Sequence, residues 1–307
     1  MLYAWGAAVL LFAVGNLVRP GFASLGSVGA VLTVASFVGL VAAGQLFVIL
    51  IGGIDLSVPW VLNASAILTA TASLGLDARA AWALGLALGM GALVGAVNGL
   101  GIALLGVPAV VMTLAMNGIM EGLTLGLSGG LTCAACASYA PPVVQAVAHG
   151  VLLGVPAALW LWLGVALLVS AILGLTAFGR GTYAIGTNAR ASYLAGVNVV
   201  ASTVALYALC GFFAALAGVL LVGFGGQASL GMGDPYLFQS IAAVVIGGVY
   251  ILGGRGHYAG VVAGAISLVA LVSVLMALNM PEYGRSIIYG VVILALLLLY
   301  GREAGES

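Results

Sequence analysis

Long apolar segments follow one another along almost the whole of this 307-residue chain, with little polar sequence between them. Only 5% of the residues are charged and 64% are hydrophobic, whereas a soluble domain of this length would carry far more charge on its surface. A bilayer core takes roughly 20 apolar residues per helix. The sequence therefore predicts an all-α polytopic membrane protein with a single transmembrane domain over 1–307.

Prolines and most charged residues fall at or near the ends of the apolar runs, where proline disrupts a helix least. These two signals divide the chain into about ten predicted transmembrane helices, which put both termini on the same side. The predicted spans are 2–18, 28–52, 58–75, 81–105, 108–127, 152–176, 203–223, 236–252, 259–280 and 285–300.

Arginine placement predicts the orientation, because cytoplasmic loops carry an excess of basic residues. Segment 177–202 contains Arg180 and Arg190 and no acid. With this segment in the cytoplasm, both termini are cytoplasmic and 128–151 is the longest external connection. The run 2–18 is interpreted as a first span, since it lacks the basic start and small-residue cleavage motif of a signal peptide.

The sequence contains no lysine, and seven arginines balance seven acidic residues. A Walker A phosphate loop requires a lysine, so ATP-driven transport would need a separate ATPase chain. The zero net charge leaves no basic patch, which argues against nucleic-acid binding.

Neither the cysteines nor the histidines form a recognisable reactive site. Cys133 and Cys136 have redox-motif spacing, but no βαβ pattern surrounds them and two thiols do not complete a zinc site. They are interpreted as part of a small-residue loop, in which an incidental disulfide could form. His149 and His257 are predicted on opposite sides of the membrane and cannot share a metal. We therefore expect no catalytic residue, metal or cofactor.

Glycines recur at four-residue spacing in two predicted spans. Such spacing places glycines on one helix face and lets a second backbone approach closely. The sequence therefore predicts close helix packing at the following glycines: Gly85 and Gly89; Gly91, Gly95 and Gly99; Gly260 and Gly264.

The first polar segment, Gly52-Gly53-Ile54-Asp55-Leu56-Ser57, joins two apolar runs. Asp55 or Ser57 could cap the helix that begins near residue 58. A carboxylate at this depth must be paired or hydrated. The segment is therefore either a tight turn before a capped helix or a motif beside a translocation path.

The second polar segment, 183–198, is too polar to span a membrane. Thr187 or Asn188 could cap a short helix there, and Gly196 could end it. A short surface helix between two spans suits docking on a cytosolic partner, and the alternative is a simple connecting loop.

The third segment contains Gly247-Gly248 and then Gly253-Gly254-Arg255-Gly256. Its backbone amides could bind phosphate, but no strand–turn–helix setting surrounds them, so a tight inter-helix turn is the favoured interpretation. The sequence before Gly247-Gly248 also echoes the sequence before Gly52-Gly53, which predicts a weak repeat of two halves.

These three segments, in this order, resemble the ribose/galactose/xylose-type membrane permease subunits of bacterial ABC importers. The resemblance extends over roughly residues 28–302 and includes Gly-Gly-Ile-Asp-Leu-Ser, Ala-Ile-Gly-Thr-Asn followed by Gly-Val-Asn, and Ile-Ala-Ala-Val-Val-Ile-Gly-Gly. Thr187 and Pro59 stand where relatives usually have glycine. The resemblance implies that 184–198 contacts the ATPase through Gly186, Asn188, Arg190 and Gly196. It also implies a motif turn made by Gly52, Gly53, Asp55, Ser57, Gly247, Gly248, Gly254 and Arg255.

A few polar side chains lie inside the predicted spans. An intramembrane carboxylate such as Glu121 is a functional candidate by default, although it could instead reach outward or bond a neighbouring helix. We hypothesise that Asn63, Asn98, Asn117, Glu121 and Asn279 line part of a polar path.

The resemblance implies a permease of the bacterial inner membrane that moves a monosaccharide or similar solute by alternating access. Its expected partners are a cytosolic ATPase, a periplasmic solute-binding protein, a second permease copy and the lipid bilayer. The alternatives are a nucleoside or branched-chain amino-acid importer of the same superfamily, an ion-coupled secondary transporter that uses Glu121 or Asp55, and a membrane scaffold without transport activity.

Overall fold

The computed structural model of the chain describes residues 2–129 and 139–281. It also describes residues 283–285, 287–288, 290–291 and 294, all of which are helical. Up to residue 281 the described chain forms helices joined by loops and one short hairpin. Its elements are α1 (Leu2–Val18), α2 (Leu25–Leu50), α3 (Val58–Ser73), α4 (Asp77–Leu105), α5 (Ala109–Ser128), α6 (Pro142–His149), β1 (Val151–Leu152), β2 (Val155–Pro156), α7 (Ala157–Leu175), α8 (Ala177–Thr187), α9 (Ala189–Leu194), α10 (Val199–Gly225), α11 (Asp234–Ile246) and α12 (Tyr258–Ala277).

Apolar helices lie where the sequence predicts spans, which confirms an all-helical, polytopic membrane fold. Within the described residues, six helices are long and apolar enough to cross a membrane, namely α2, α4, α5, α7, α10 and α12. The helices α1 and α11 are apolar but shorter. The total of about ten spans and the side of the termini stay predictions. Cys133, Cys136, Arg302 and much of the predicted span 285–300 lie outside the described residues.

Two predicted spans have wrong boundaries. The span 236–252 ends at Ile246, because Gly248 has a positive φ of 81° that breaks the helix. The span 152–176 begins later, at Ala157, because 151–156 form an antiparallel hairpin with positive φ at Leu153 and Gly154. The external connection 128–151 also contains a helix, α6. The other boundaries of the nine predicted spans from 2–18 to 259–280 fall within four residues of the observed ones.

Helix α2 is the centre of the bundle. Every residue from Ala35 to Leu50 is buried, and α7, α10, α11 and α12 pack around the helix. A helix that is apolar on all sides is suited to such a buried position. Its close contact with α7 is fixed by a chain of hydrogen bonds, since Trp162 Nε1 donates to Tyr258 Oη at 2.9 Å and Tyr258 Oη donates to the Gly39 carbonyl at 2.7 Å.

The predicted glycine packing occurs between α4 and α10. A Cβ atom at Gly91 would collide with the Gly211 carbonyl, and one at Gly95 would collide with the Tyr207 carbonyl. Gly99 likewise faces the α10 backbone. The two backbones therefore touch over more than two helical turns, and the packing prediction is confirmed for these three glycines.

The remaining predicted glycine pairs have different outcomes. A Cβ at Gly260 would meet the Gly247 carbonyl, and one at Gly264 would meet the Ala243 carbonyl, so α11 and α12 pack closely as predicted. Gly85 and Gly89 have nothing within 4 Å of such a Cβ. The prediction of close packing at these two positions is therefore wrong within the described residues.

The bundle has two distinct ends. We call the end formed by 50–57, 183–198 and 247–257 the junction end. At the opposite end, the Ala140 N–H donates to the Gly226 carbonyl at 3.0 Å and the Val143 N–H donates to Asp77 Oδ1 at 2.8 Å. The hairpin and the ends of α3 and α10 lie at that opposite end as well. The predicted topology groups these loops in the same way, with the loops of the junction end on one side of the membrane and those of the opposite end on the other.

Candidate functional site

The three motif segments meet at the junction end, although they are far apart in sequence. The Gly254 N–H donates to the Leu50 carbonyl at 2.8 Å, which joins the third segment to the end of α2. A Cβ on Gly253 would lie 2.8 Å from Gly52 N and 3.2 Å from the Gly186 carbonyl. The end of α2, the end of α8 and the turn before α12 therefore form one backbone-to-backbone contact.

Gly186 makes this contact possible. A Cβ built on Gly186 would collide with the Leu50 carbonyl oxygen and the Gly254 nitrogen. Both are backbone atoms, which cannot rotate away as the end of a side chain can. Only glycine therefore allows α8 to lie this close to the other two segments.

Tyr183 adds a side-chain bond to the same junction. Its hydroxyl donates to the Gly256 carbonyl at 2.7 Å. Within the turn, the Gly253 N–H donates to the Tyr250 carbonyl, and the Gly254 N–H is committed to α2. Because these two amides already have acceptors, they favour the tight turn that the sequence predicts over a phosphate-binding loop.

The two glycine pairs of the motif end their helices in the same way. The Gly53 N–H donates to the Val48 carbonyl at 3.0 Å, and the Val249 N–H donates to the Val244 carbonyl at 3.3 Å. Both bonds reach back five residues, which is typical of a helix end that turns through a left-handed residue. The sequence echo thus has a shared local geometry, and a repeat of two whole halves stays a prediction.

Helix α9 begins and ends where the sequence predicts. Asn188 Oδ1 accepts the Ala191 N–H at 2.9 Å and caps the helix, and Gly196 follows its end with φ of 87°. Tyr193 and Leu194 are 69% and 77% exposed. This short polar helix therefore carries two large apolar side chains outward from the junction end.

The exposed charges of the junction end are all positive in the part of the chain that the structure describes. Arg190 and Arg255 are exposed there, and Arg180 is exposed on α8 just before it. The one carboxylate at this end, Asp55, is buried. The junction end therefore offers a cationic surface around α9.

Asp55 lies in the loop between α2 and α3, outside both helices, and is the centre of a buried hydrogen-bond network. Its Oδ1 accepts the Ser57 N–H at 2.9 Å and the Ser57 hydroxyl at 2.6 Å. Asn98 Nδ2 donates to Ser57 Oγ at 2.9 Å, and Gln45 Nε2 donates to the Asp55 carbonyl at 2.7 Å. The network ties α2, the loop and α4 together.

The start of α3 differs from the predicted cap. Ser57 occupies the N-cap position, but its side chain makes no capping bond to the helix. Asp55 instead closes the turn before the helix. Burial raises the pKa of the Asp55 carboxyl above its ordinary value, and the hydrogen bonds from Ser57 oppose that rise.

Three residues in or beside this network were not among the site residues predicted from the sequence. Gln45 lies within an apolar run, and Tyr207 and Cys210 lie on α10 beside the network. Asn98 Oδ1 and Tyr207 Oη are buried and make no hydrogen bond within the described residues. Gln45 could have been identified from the sequence, because its amide is a polar group inside the apolar run of α2.

The five residues of the hypothesised polar path do not come together. With its amide oriented to satisfy both partners, Asn63 donates to the Ser229 carbonyl and accepts the Gly231 N–H, each at 2.9 Å. It therefore holds the loop 226–233 against α3, while Asn98 belongs to the Asp55 network. Asn117 is half-buried, whereas Glu121 and Asn279 are exposed on different helices.

Asn117 and Glu121 lie one helical turn apart on α5. That helix packs against α3 and α4 and exposes Leu114, Ile119, Leu123 and Leu127. Asn279 instead ends α12 with φ of 57°, and α12 packs on α1, α2, α7 and α11. The hypothesis that these residues line part of a polar path therefore stays a prediction.

The structure is thus an apolar helical bundle with close glycine turns at one end and the short exposed helix α9 beside them. Residues 27–297 match the family described as the permease component of the branched-chain amino acid transport system. The chain belongs to this family, whose members are transport subunits rather than enzymes.

Two kinds of relative illustrate the similarity. The ribose import permease protein of Escherichia coli K12 is 33% identical over 297 residues, which cover 97% of this chain and 92% of the relative. That of Haemophilus influenzae is 31% identical over 292 residues, 95% and 90% of the two chains. The autoinducer 2 import system permease protein of E. coli is 33% identical over 300 residues, 96% and 85%. No solved structure gave a significant match. The resemblance inferred from the motifs is confirmed.

Proposed function

We propose that this chain forms the translocation path of a binding-protein-dependent ABC importer in a bacterial inner membrane. The cargo is a monosaccharide or a related small polar solute, as the names of the relatives suggest for those proteins. A separate cytosolic ATPase supplies the energy, and a periplasmic binding protein delivers the solute. The absence of lysine from the sequence supports this division of labour, since the chain cannot form a Walker A loop.

The observation that carries the proposal is the connection between α9 and the junction. Tyr193 and Leu194 project into solvent from α9, and the preceding helix is sealed at Gly186 against α2 and the turn before α12. A force applied to α9 therefore reaches two helices of the bundle through backbone contacts. We assign the ATPase-docking role to 184–198, with Asn188 and Gly196 shaping α9 and Arg190 adding charge.

The orientation follows from the same surface. The exposed Arg180, Arg190 and Arg255 lie around α9, which supports a cytoplasmic junction end by the positive-inside rule. In the proposed topology about ten spans put both termini in the cytoplasm. The opposite end, with α6 and the hairpin, then receives the periplasmic binding protein.

A second permease copy completes the path in this proposal. Glu121 is exposed on α5 among apolar side chains, and a carboxylate facing lipid is costly. A surface with Glu121 and Asn117 is stable where it lines a hydrated space between two copies. Alternating access then consists of opening that space at one end while the junction closes it at the other.

Co-purification from native membranes tests the proposal. The tagged chain is isolated in mild detergent, and bound proteins are identified by mass spectrometry. An ATPase and a solute-binding protein are expected with the wild-type chain, and the ATPase is expected to be lost from Tyr193→Ser/Leu194→Ser. Leu153→Asn is the matched control, since Leu153 is 84% exposed at the opposite end and its positive φ suits asparagine.

Two results would overturn the proposal. One is recovery of the chain without any ATPase, combined with solute uptake that collapses only when the ion gradient is removed, which would assign a secondary transporter. The other is retention of the ATPase by the Tyr193/Leu194 variant at the wild-type level, which would remove α9 as the docking site. A nucleoside or an amino acid bound to the co-purified receptor would correct the cargo alone.

A further inference from the structure

A cavity of about 620 Å³ opens at the end of the bundle opposite the junction. It lies between α2, the end of α10, the loop 226–233 and the start of α11. The size falls within the range of roughly 300–1,000 Å³ that small-molecule sites occupy. The cavity is separate from the exposed face of α5 and from the Asp55 network.

The lining of this cavity carries four polar side chains with free hydrogen-bonding groups. They are Gln227, Ser229, Tyr236 and Gln239, and within the described residues none of these side chains makes a hydrogen bond to the protein. Two amides, one hydroxyl and one phenol supply both donors and acceptors. Phe224 and Tyr236 add aromatic surface against which an apolar face of a ligand can pack.

No charged residue lines the cavity in the part of the chain that the structure describes. Asp234 begins α11 next to the lining residue Pro235, but its carboxylate lies close to Gly231 instead. An amino acid would bring a carboxylate and an ammonium group, neither of which would find an opposite charge here. The lining therefore suits an uncharged ligand with many hydroxyl groups.

The loop 226–233 forms one wall of the cavity and is held against α3. Asn63 binds the backbone of Ser229 and Gly231 through its amide. Gly233 lies so close to the Pro59 carbonyl that a Cβ there would collide with it. The wall is thus fastened to α3 at two points, and a preformed wall reduces the entropy lost when a ligand binds.

We propose that this cavity is an entry subsite for a neutral, polyhydroxylated solute such as a monosaccharide, with Gln227, Ser229, Tyr236 and Gln239 as its hydrogen-bonding groups. This inference rests on the proposed function and deepens it by naming the place where the permease first holds the solute and the residues that bind it there. It also separates sugar-like cargo from amino acids, which the family description alone does not.

The test uses the complete importer in cells, with uptake of radiolabelled D-ribose, uridine and L-leucine as probes. Gln239→Leu and Gln227→Leu each remove one uncharged hydrogen-bonding group, so each should lower kcat/KM for D-ribose about 3- to 10-fold. Phe238→Leu is the matched control, because Phe238 neighbours Gln239 on α11 but is exposed outside the cavity. Membrane abundance and ATPase stimulation by the liganded receptor are measured for each variant.

The outcomes distinguish the subsite from the proposed function. A loss of D-ribose uptake with unchanged abundance and unchanged ATPase stimulation supports the subsite. Wild-type uptake in both glutamine variants overturns the subsite and leaves the importer intact. Equal loss of uptake and of receptor-stimulated ATPase assigns these residues to receptor docking and also overturns the subsite. Uptake of L-leucine but not D-ribose by the wild type refutes the solute class, and uptake that persists without the ATPase chain removes the proposed function itself.

Should the leucine variants fail to accumulate, Gln239→Asn keeps the test decisive. Asparagine retains the amide but withdraws it by one methylene, so a ligand contact at this position should weaken while the fold is kept. Saturation-transfer NMR with D-ribose on the purified permease then reads binding without transport. A signal equal to that of the wild type would contradict the subsite.

Discussion

The junction can be tested by adding a single methyl group at Gly186. In Gly186→Ala the new Cβ would collide with two backbone atoms, the Leu50 carbonyl oxygen and the Gly254 nitrogen, and would lie 3.0 Å from Gly254 Cα. Overpacking of this kind destabilises by about 1–3 kcal/mol. Separation of the hydrogen bond between Leu50 and Gly254 adds about 1 kcal/mol. The higher helix propensity of alanine offsets at most about 1 kcal/mol, which leaves a net loss of about 1–3 kcal/mol.

Gly181→Ala is the matched control on the same helix. A Cβ at Gly181 would meet only Val197 Cγ1, at 3.5 Å, which is an ordinary contact. This variant therefore keeps the propensity gain of about 1 kcal/mol without the collision. The two alanine variants should differ in free energy of unfolding by about 2–4 kcal/mol.

The assay compares both variants with the wild type in the same detergent. Gly186→Ala should have an apparent Tm at least about 4 °C below that of Gly181→Ala. Its solute uptake should fall further than its membrane abundance, because the contact that connects α8 to α2 is opened. Equal Tm values for the two variants would refute the argument that Gly186 is required for close backbone approach.

Three further predictions concern other contacts. Tyr183→Phe removes the hydrogen bond to the Gly256 carbonyl and should lower the free energy of unfolding by about 1 kcal/mol. Tyr193→Phe is the control, because its ring is exposed, and it should leave the free energy of unfolding unchanged. Chemical unfolding measures both variants. Gly95→Leu should prevent accumulation of folded protein, because a Cβ there collides with the Tyr207 carbonyl, whereas Gly89→Leu should accumulate normally on size-exclusion chromatography. Asn98→Leu should lower stability by about 1–3 kcal/mol through loss of its bond to Ser57, and Asn98→Asp should lower it further by placing a second carboxylate beside Asp55. A higher Tm for Asn98→Asp than for Asn98→Leu would contradict the described network.

Most helix positions were predictable because the bilayer imposes a local rule. Every backbone group in lipid must be satisfied within its own helix, so an apolar run bounded by proline or charge is already a helix. The rule failed where the apolar run continued past a glycine turn. After Ile246, the apolar residues Val249, Ile251 and Leu252 read as more span, but the positive φ of Gly248 had already ended the helix.

The junction could not be predicted from one sequence, although each of its parts was recognised. The contacts join Leu50, Gly186 and Gly254, which are separated by more than 60 residues in each case. Glycine frequency alone does not say which glycine touches which backbone. For the same reason Gly89 was expected to pack closely and does not, whereas Gly95 does.

Helix α2 also bears on how the chain enters the membrane. Its packing partners α7, α10, α11 and α12 are all synthesised later, so the newly inserted helix must wait in lipid with its polar groups satisfied. Thr33 and Ser36 bond to carbonyls one turn back, and Gln45 bonds to the carbonyl of Asp55. All of these partners have been synthesised by the time α3 begins. The polar groups of the central helix thus have their partners within the helix or in the loop that follows it, and the remaining helices can assemble around it in the order in which they are made.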